Sequence, residues 1–310
     1  MTSGTFLGFP SGDPSSVDAD VAILGVPHGV AYPVPELATA CADAPRAIRE
    51  RSARLARFVG NHDFDLDGPL LAAGSGGARA LSVADCGDVP GSPDDGPGNA
   101  RKAEDAVRAI AGRGIVPVVL GGDDSVPIPV LRALSVSDGP ITVLQIDAHL
   151  DFRDAVAGVR DGYSSPMRRA SEMSHVARIV QVGLRGVGSA RPEDVAAARE
   201  RGNLLVTASE LRRRSVAWLV GQLPAAQPLF ISFDLDGLDP AVCPAVSAPS
   251  PGGLGYDEAS ELLAAAARRC TLVGAVLTEL VPARDMGGLS ALVAVRLVTT
   301  LIGALARRAE

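Results

Sequence analysis

The sequence predicts an α/β protein: a central, mostly parallel sheet of about eight strands, with helices on both faces, in a single domain over 1–310. Three observations lead there. Short apolar runs rich in β-branched residues recur along the chain, continuous rather than alternating, as expected of strands covered on both sides. Ala- and Arg-rich stretches of helical spacing lie between them. No linker, repeat or low-complexity tract divides the 310 residues, a length that can bury a large core.

In order, Asp20–Val26 (DVAILGV) reads as the first strand and Ala78–Ala84 (ARALSVA) as the second. Gly74–Gly77 and Gly87–Gly98 are rich in Gly, Pro, Ser and Asp and read as surface loops. A helix is expected over Asn99–Arg113, then a strand over Ile115–Leu120 and a helix over Pro127–Leu134. Ile141–Ile146 and Arg178–Val182 are the next strands, followed by a helix over Pro192–Arg201. Leu204–Thr207 is a strand, Leu211–Gln222 a helix and Pro228–Phe233 a strand. Tyr256–Arg269 is helical, Leu272–Leu277 is the last strand, and Gly287–Arg307 closes the chain as a largely apolar helix.

Aromatic residues make up only 4% of the chain, so the core is expected to be aliphatic. The formal net charge of -7, without a basic run, argues against a nucleic-acid partner and suits a small cationic substrate. Cys41, Cys86, Cys243 and Cys270 form no CxxC pair and read as isolated thiols rather than disulfides. The N-terminus lacks the basic and apolar regions of a secretory signal, and no apolar run reads as a membrane span. A cytoplasmic location is expected.

The chemistry is concentrated where predicted strands end, the edge at which open α/β sheets bind ligands. Asp123 and Asp124 follow IVPVVL in GGDDS. Asp147, His149 and Asp151 follow ITVLQI. Asp234 and Asp236 follow PLFISF, and Glu279 follows the last strand. In an extended segment residues i and i+2 point the same way, so Asp147, His149 and Asp151 can converge, as can Asp234 and Asp236. A lone aspartate at a strand end is usually a helix cap. Carboxylates gathered in such number repel one another unless cations sit among them. An oxygen-rich set with one imidazole suits two divalent ions, Mn²⁺ or Mg²⁺ before softer metals. Such a pair lowers the pKa of a shared hydroxide enough for attack near neutral pH.

These segments resemble the ureohydrolase superfamily, the arginase and agmatinase family, and most closely its agmatinase and guanidinobutyrase branch. The resemblance runs through GVPHG at 25–29, APRAIRERS at 44–52, VADCGDVPG at 83–91, LGGDDS at 120–125 and IDAHLDFRD at 146–154. It continues through VGLRGVG at 182–188, SFDLDGLDP at 232–240, PSPGGL at 249–254 and TELVPARD at 278–285. It implies a three-layer α/β/α fold, homotrimers or homohexamers, and a dinuclear manganese site. It also implies hydrolysis of a guanidino compound, agmatine-like or a guanidino acid, to urea and an amine. By position, one metal would take Asp124, Asp147, Asp151 and Asp234, and the other Asp147, His149, Asp234 and Asp236. Asp151 would orient the bridging hydroxide, and Glu279 would hold the planar guanidinium over it.

Three positions depart from the family pattern. Asp124 stands where the GGDHS motif places a metal-binding histidine. Tyr163, in RDGYSSPMRRA, stands where relatives place a histidine thought to shuttle protons to the leaving amine, a task that a phenol with a pKa near 10 serves poorly. PAVSAP at 244–249 replaces PGTGTP. Loss of both histidines motivates an alternative: a weakly active or inactive subunit, paired with an active paralogue as a structural or regulatory partner. His175 is the nearest downstream histidine and reads as a surface or capping residue. His28 and Tyr32 follow the first strand and read equally as facing the substrate tail or as part of a structural loop, and His62 reads as an exposed loop residue. Arg168 and Arg169 are expected to cap a helix or meet a neighbouring subunit rather than substrate.

Overall fold

The computed structural model describes residues 4–30, 32, 39–71 and 80–307. The loop expected at Gly74–Gly77, and Ala78 and Arg79 of the expected second strand, lie outside them. Eight strands form one sheet: β1 (Val21–Val26), β2 (Val83–Asp88), β3 (Val116–Gly121), β4 (Ile141–Ile146), β5 (Val176–Leu184), β6 (Leu204–Thr207), β7 (Pro228–Asp234) and β8 (Thr271–Thr278). Their order across the sheet is β2-β1-β3-β8-β7-β4-β5-β6, and every pairing is parallel.

The helices are α1 (Ala44–Ser52), α2 (Gly96–Ala111), α3 (Pro127–Ala133), α4 (Pro166–Ala170), α5 (Pro192–Glu200), α6 (Ala208–Arg214), α7 (Val216–Gly221), α8 (Tyr256–Arg269) and α9 (Leu289–Ala306). They sort onto two faces by which strand residues they cover. Val21 and Ile23 of β1 join the core made with α1, α6, α7, α8 and α9. Ala22, Leu24 and Val26 join the core made with α2, α3, α4 and α5. Both faces of each central strand are thus apolar, which is why the strands read as continuous hydrophobic runs. The result is the three-layer α/β/α arrangement that the resemblance implied.

Several expectations need correction. The second strand lies at 83–88, not 78–84, and it carries charge. Buried Arg49 of α1 donates to both carboxylate oxygens of Asp85, at 2.8 and 2.9 Å, and also to Asp88. This pairing lets two aspartates occupy a strand that the apolar pattern alone misplaces. The segment 211–222 is not one helix. Ser215 takes a left-handed φ of 95°, ending α6, and its hydroxyl accepts the Trp218 N–H to cap α7. α2 begins within the expected loop, at Gly96, where the Asp95 carboxylate accepts the Gly98 N–H. By length and composition, Met286–Ala306 suffices to cross a membrane, contrary to the reading that no apolar run does. Its apolar window is 72% buried against the rest of the fold, including α8 and α1, as expected of a core helix.

Candidate metal centre and substrate cavity

The sheet's register assembles the site. Ile146 pairs with Phe233 and Phe233 with Leu277, while Leu277 pairs with Leu120. The residues just beyond this row therefore emerge side by side from the four central strands β4, β7, β8 and β3. They bring Asp147, His149 and Asp151 next to Asp234 and Asp236, with Glu279, Asp123 and Asp124 alongside. Every one of these carboxylates is at most 6% exposed.

Two donor trios result, each with ligand atoms within 4.8 Å of one another: Asp124, Asp147 and Asp234, and Asp147, His149 and Asp236. Asp147 belongs to both. The trios are smaller than the sets implied by resemblance, since Asp151 is absent from the first and Asp234 from the second. Asp151 instead lines the cavity above them. Burial, and then repulsion from neighbouring carboxylates, holds Asp124, Asp147, Asp151 and Asp234 well above the ordinary carboxylate range. His149 Nδ1 lies 3.0 Å from Asp236 Oδ2, and that hydrogen bond raises the imidazole to about 9 despite its burial.

The protein orients these groups from beneath through residues that the sequence reading missed. Gln145 Nε2 donates to Asp147 at 2.7 Å and to Asp151 at 3.0 Å. Gln145 is itself fixed by Gln181 Nε2 at 2.6 Å, and the Gln181 carbonyl oxygen accepts from Asn203 Nδ2 at 2.9 Å. The signal was present, because Gln145 and Gln181 are polar residues inside otherwise apolar strands, where they must find partners. Thr278 is a third such case, donating to Asp124 Oδ1 at 2.7 Å. Asp124 Oδ2, by contrast, is buried with no hydrogen-bond partner.

Glu279 stands beside this floor. Its Oε1 accepts the Asp124 N–H at 2.8 Å, and the Cys41 thiol lies 3.8 Å from Oε2. Burial lifts its carboxyl to about 7, against a hydrogen bond from Ser247 that lowers it. Glu279 and Asp151 both hold left-handed backbones, at φ 71° and 46°. Such conformations cost about 1–3 kcal/mol each and persist only where surroundings impose them. Here the Glu279 N–H donates to Gly122 O, while Asp151 O accepts from Met167 and Arg168.

Above the floor opens a cavity of about 630 Å³, walled by Tyr163, Ser164, the 186–189 loop and the 247–251 loop. Tyr163 packs on Tyr32 with ring centroids 4.3 Å apart, and the Tyr32 hydroxyl accepts the Ser164 N–H at 3.1 Å. Burial pushes the Tyr163 phenol up to about 12, so at neutral pH it keeps its proton. Arg185 secures the cavity's mouth by donating to five carbonyls, those of Gly183, Asp236, Gly237, Leu238 and Ser250.

The remaining candidates lie elsewhere. His175 Nε2 meets Leu131 O at 2.9 Å, and His62 is exposed beside Phe64. Neither these histidines nor His28 line the cavity. Arg168 and Arg169 pair with Glu172, and Arg169 also with Asp154. The four cysteines are free thiols, and all but Cys86 are buried.

Comparison with known proteins agrees with this construction. The sequence profile of the Arginase family matches residues 19–303. The guanidinobutyrase of Pseudomonas aeruginosa is 31% identical over 93% of this chain and 88% of its own length. The agmatinase of Pyrococcus horikoshii is 31% identical over 94% of this chain and 93% of its own. The solved structure of proclavaminate amidinohydrolase from Streptomyces clavuligerus superposes with a TM-score of 0.82 at 27% identity, covering 99% of this chain and 98% of that one. With its profile spanning nearly the whole sheet and its carboxylates on the four central strands, this chain belongs to the arginase family.

Proposed function

We propose that this protein is a metal-dependent amidinohydrolase that cleaves a guanidino compound to urea and an amine, holding two divalent ions, Mn²⁺ by preference. The observation that carries the reading is Asp147, shared by two donor trios at the floor of a cavity. The residues fit such ions. Asp124 Oδ2 is a buried carboxylate oxygen without a partner, and the carboxylates above the ordinary range need positive charge to ionise together. Asp124, Asp147 and Asp234 would hold one ion, with Asp147, His149 and Asp236 holding the other. Bound there, the ions supply Lewis acidity and a water activated for attack near neutral pH.

The protein's own groups do the rest. Glu279, with each oxygen already fixed on the protein side, presents its remaining lone pairs to the planar guanidinium and sets its carbon over the floor. Asp151, oriented by Gln145, is placed to accept the proton of the attacking water. Water adds to the guanidinium carbon, the C–N bond to the tail breaks, and the amine departs with a proton. Tyr163 donates a hydrogen bond at the substrate side of the cavity.

The test is urea release by Mn²⁺-loaded protein from agmatine, guanidinobutyrate, guanidinopropionate and related guanidines. Turnover of at least one, lost in Glu279→Gln, is expected. No urea from any of them would overturn this reading, and fewer than two bound ions per chain would then favour a non-catalytic partner subunit.

A further inference from the structure

Resting on that function, we propose that the cavity selects guanidines with a neutral or cationic tail and rejects guanidino acids. The basis is its charge inventory. Two divalent ions bring four positive charges, whereas Asp124, Asp147, Asp151, Asp234 and Asp236 are already five carboxylates around them. Glu279 and Asp123 line the same cavity and add two more. Glu279 is matched by the guanidinium itself. Asp123 is left over, with its Oδ1 taking both the N–H and the hydroxyl of Ser125. Among the described residues, no lysine or arginine lines the cavity.

Guanidinium groups bonded to the cavity's lining are already engaged: Arg284 donates to the carbonyls of Val246 and Ser247 at 2.7 and 3.0 Å. Arg153 donates to Ser189 O at 3.1 Å and lies 3.5 Å from Asp194. Arg185 is tied to its five backbone carbonyls and does not line the cavity. The sequence carries no Lys or Arg before Arg46. What the tail meets instead is the Tyr163 ring, the hydroxyls of Ser164, Ser189 and Ser250, and the side chain of Val187. An aromatic face and hydroxyls welcome a methylene chain that ends in an alcohol, an amide or an ammonium group. A carboxylate there would enter a cavity that Asp123 also lines, with no lysine or arginine among its described lining residues. The expected preference therefore differs from that printed in the name of the guanidinobutyrase relative.

The experiment compares agmatine, butylguanidine and 5-guanidinovalerate, measuring kcat/KM for urea release and, independently, binding to the Mn²⁺-loaded protein by calorimetry. Agmatine and butylguanidine are expected to bind at least about tenfold tighter than the acid, a gap that narrows from low salt to about 0.5 M NaCl as screening sets in. Val187 is fully exposed at the rim, so Val187→Arg leaves the core untouched; it should narrow the gap at least about threefold by supplying the missing cation. An acid that binds as well as agmatine, or a gap unchanged by both salt and Val187→Arg, overturns the proposal. Binding without urea from any compound overturns the catalytic reading instead, and leaves this one decided by the calorimetry.

Discussion

Of the two donor trios that meet at Asp147, one is made of carboxylates alone and the other carries an imidazole. The difference shows in how far the protein satisfies each without help. In the second trio Asp236 accepts the Ala148 N–H at 3.1 Å, and its Oδ2 lies 3.0 Å from His149 Nδ1. In the first trio Asp124 has Thr278 on one oxygen and nothing on the other. One half of the floor is therefore satisfied largely from within, and the other keeps a buried carboxylate oxygen without a partner. An aspartate at 124 keeps a donor position in that trio and brings a charge that its neighbours do not balance.

The strongest way to break the comparison is to remove the residue both halves share. Asp147→Asn should lower kcat/KM by more than about 10³-fold and cut bound Mn²⁺ below two per chain by elemental analysis, because one change strips a donor from each trio. Support from beneath comes next. Gln145→Leu leaves every ligand in place but frees Asp147 and Asp151, so Mn²⁺ affinity by calorimetric titration should fall about 10–100-fold. Equal affinity in that variant would mean that the chain of amides is structural only.

Asp124→His makes the two trios alike. Competition titrations should show the first site shifting towards Zn²⁺ or Co²⁺ by about tenfold, with the second unchanged, because imidazole suits those metals better than carboxylate does. The smallest effect is on the metal-free protein and follows pH. The His149 value rises from 6.5 to about 9 on folding, so its contribution to stability is complete below pH 6.5 and lost as pH climbs through about 9. The raised carboxylates act in the same direction, since folding favours their protonated forms. The melting temperature of metal-free protein should fall between pH 6.5 and 9, and Mn²⁺ should flatten that slope. A melting temperature that rises over this range would contradict the pairing of His149 with Asp236.

Much of this molecule was legible because its strands are buried on both faces. Runs such as Ile141–Ile146 and Pro228–Asp234 have no competing interpretation at that length, and their ends mark the catalytic edge. The acidic residues there stood out by spacing, and of the six donors that the resemblance implied, five fall in the trios while Asp151 lines the cavity. What escaped depends on partners distant in sequence. β2 was misplaced because Asp85 and Asp88 make sense in a strand only once Arg49 is beside them, 36 and 39 residues away. The break at Ser215 is invisible to helical periodicity, since the apolar spacing of α6 runs on into α7. Gln145 and Gln181 gain their role only once the fold sets one upon the other.

Arg185 bears on how this scaffold could be altered. Its five carbonyl partners come from three separate stretches of chain: its own strand end, the turn after Asp234, and the wall that ends at Ser250. The mouth is thus not a detachable module. A transplanted 247–251 segment from a relative would keep its seat only if it returned a carbonyl to the guanidinium, and otherwise the turn carrying Asp236 would loosen with it. New specificity is better sought by point changes at Val187 or Ser189 than by exchange of whole segments.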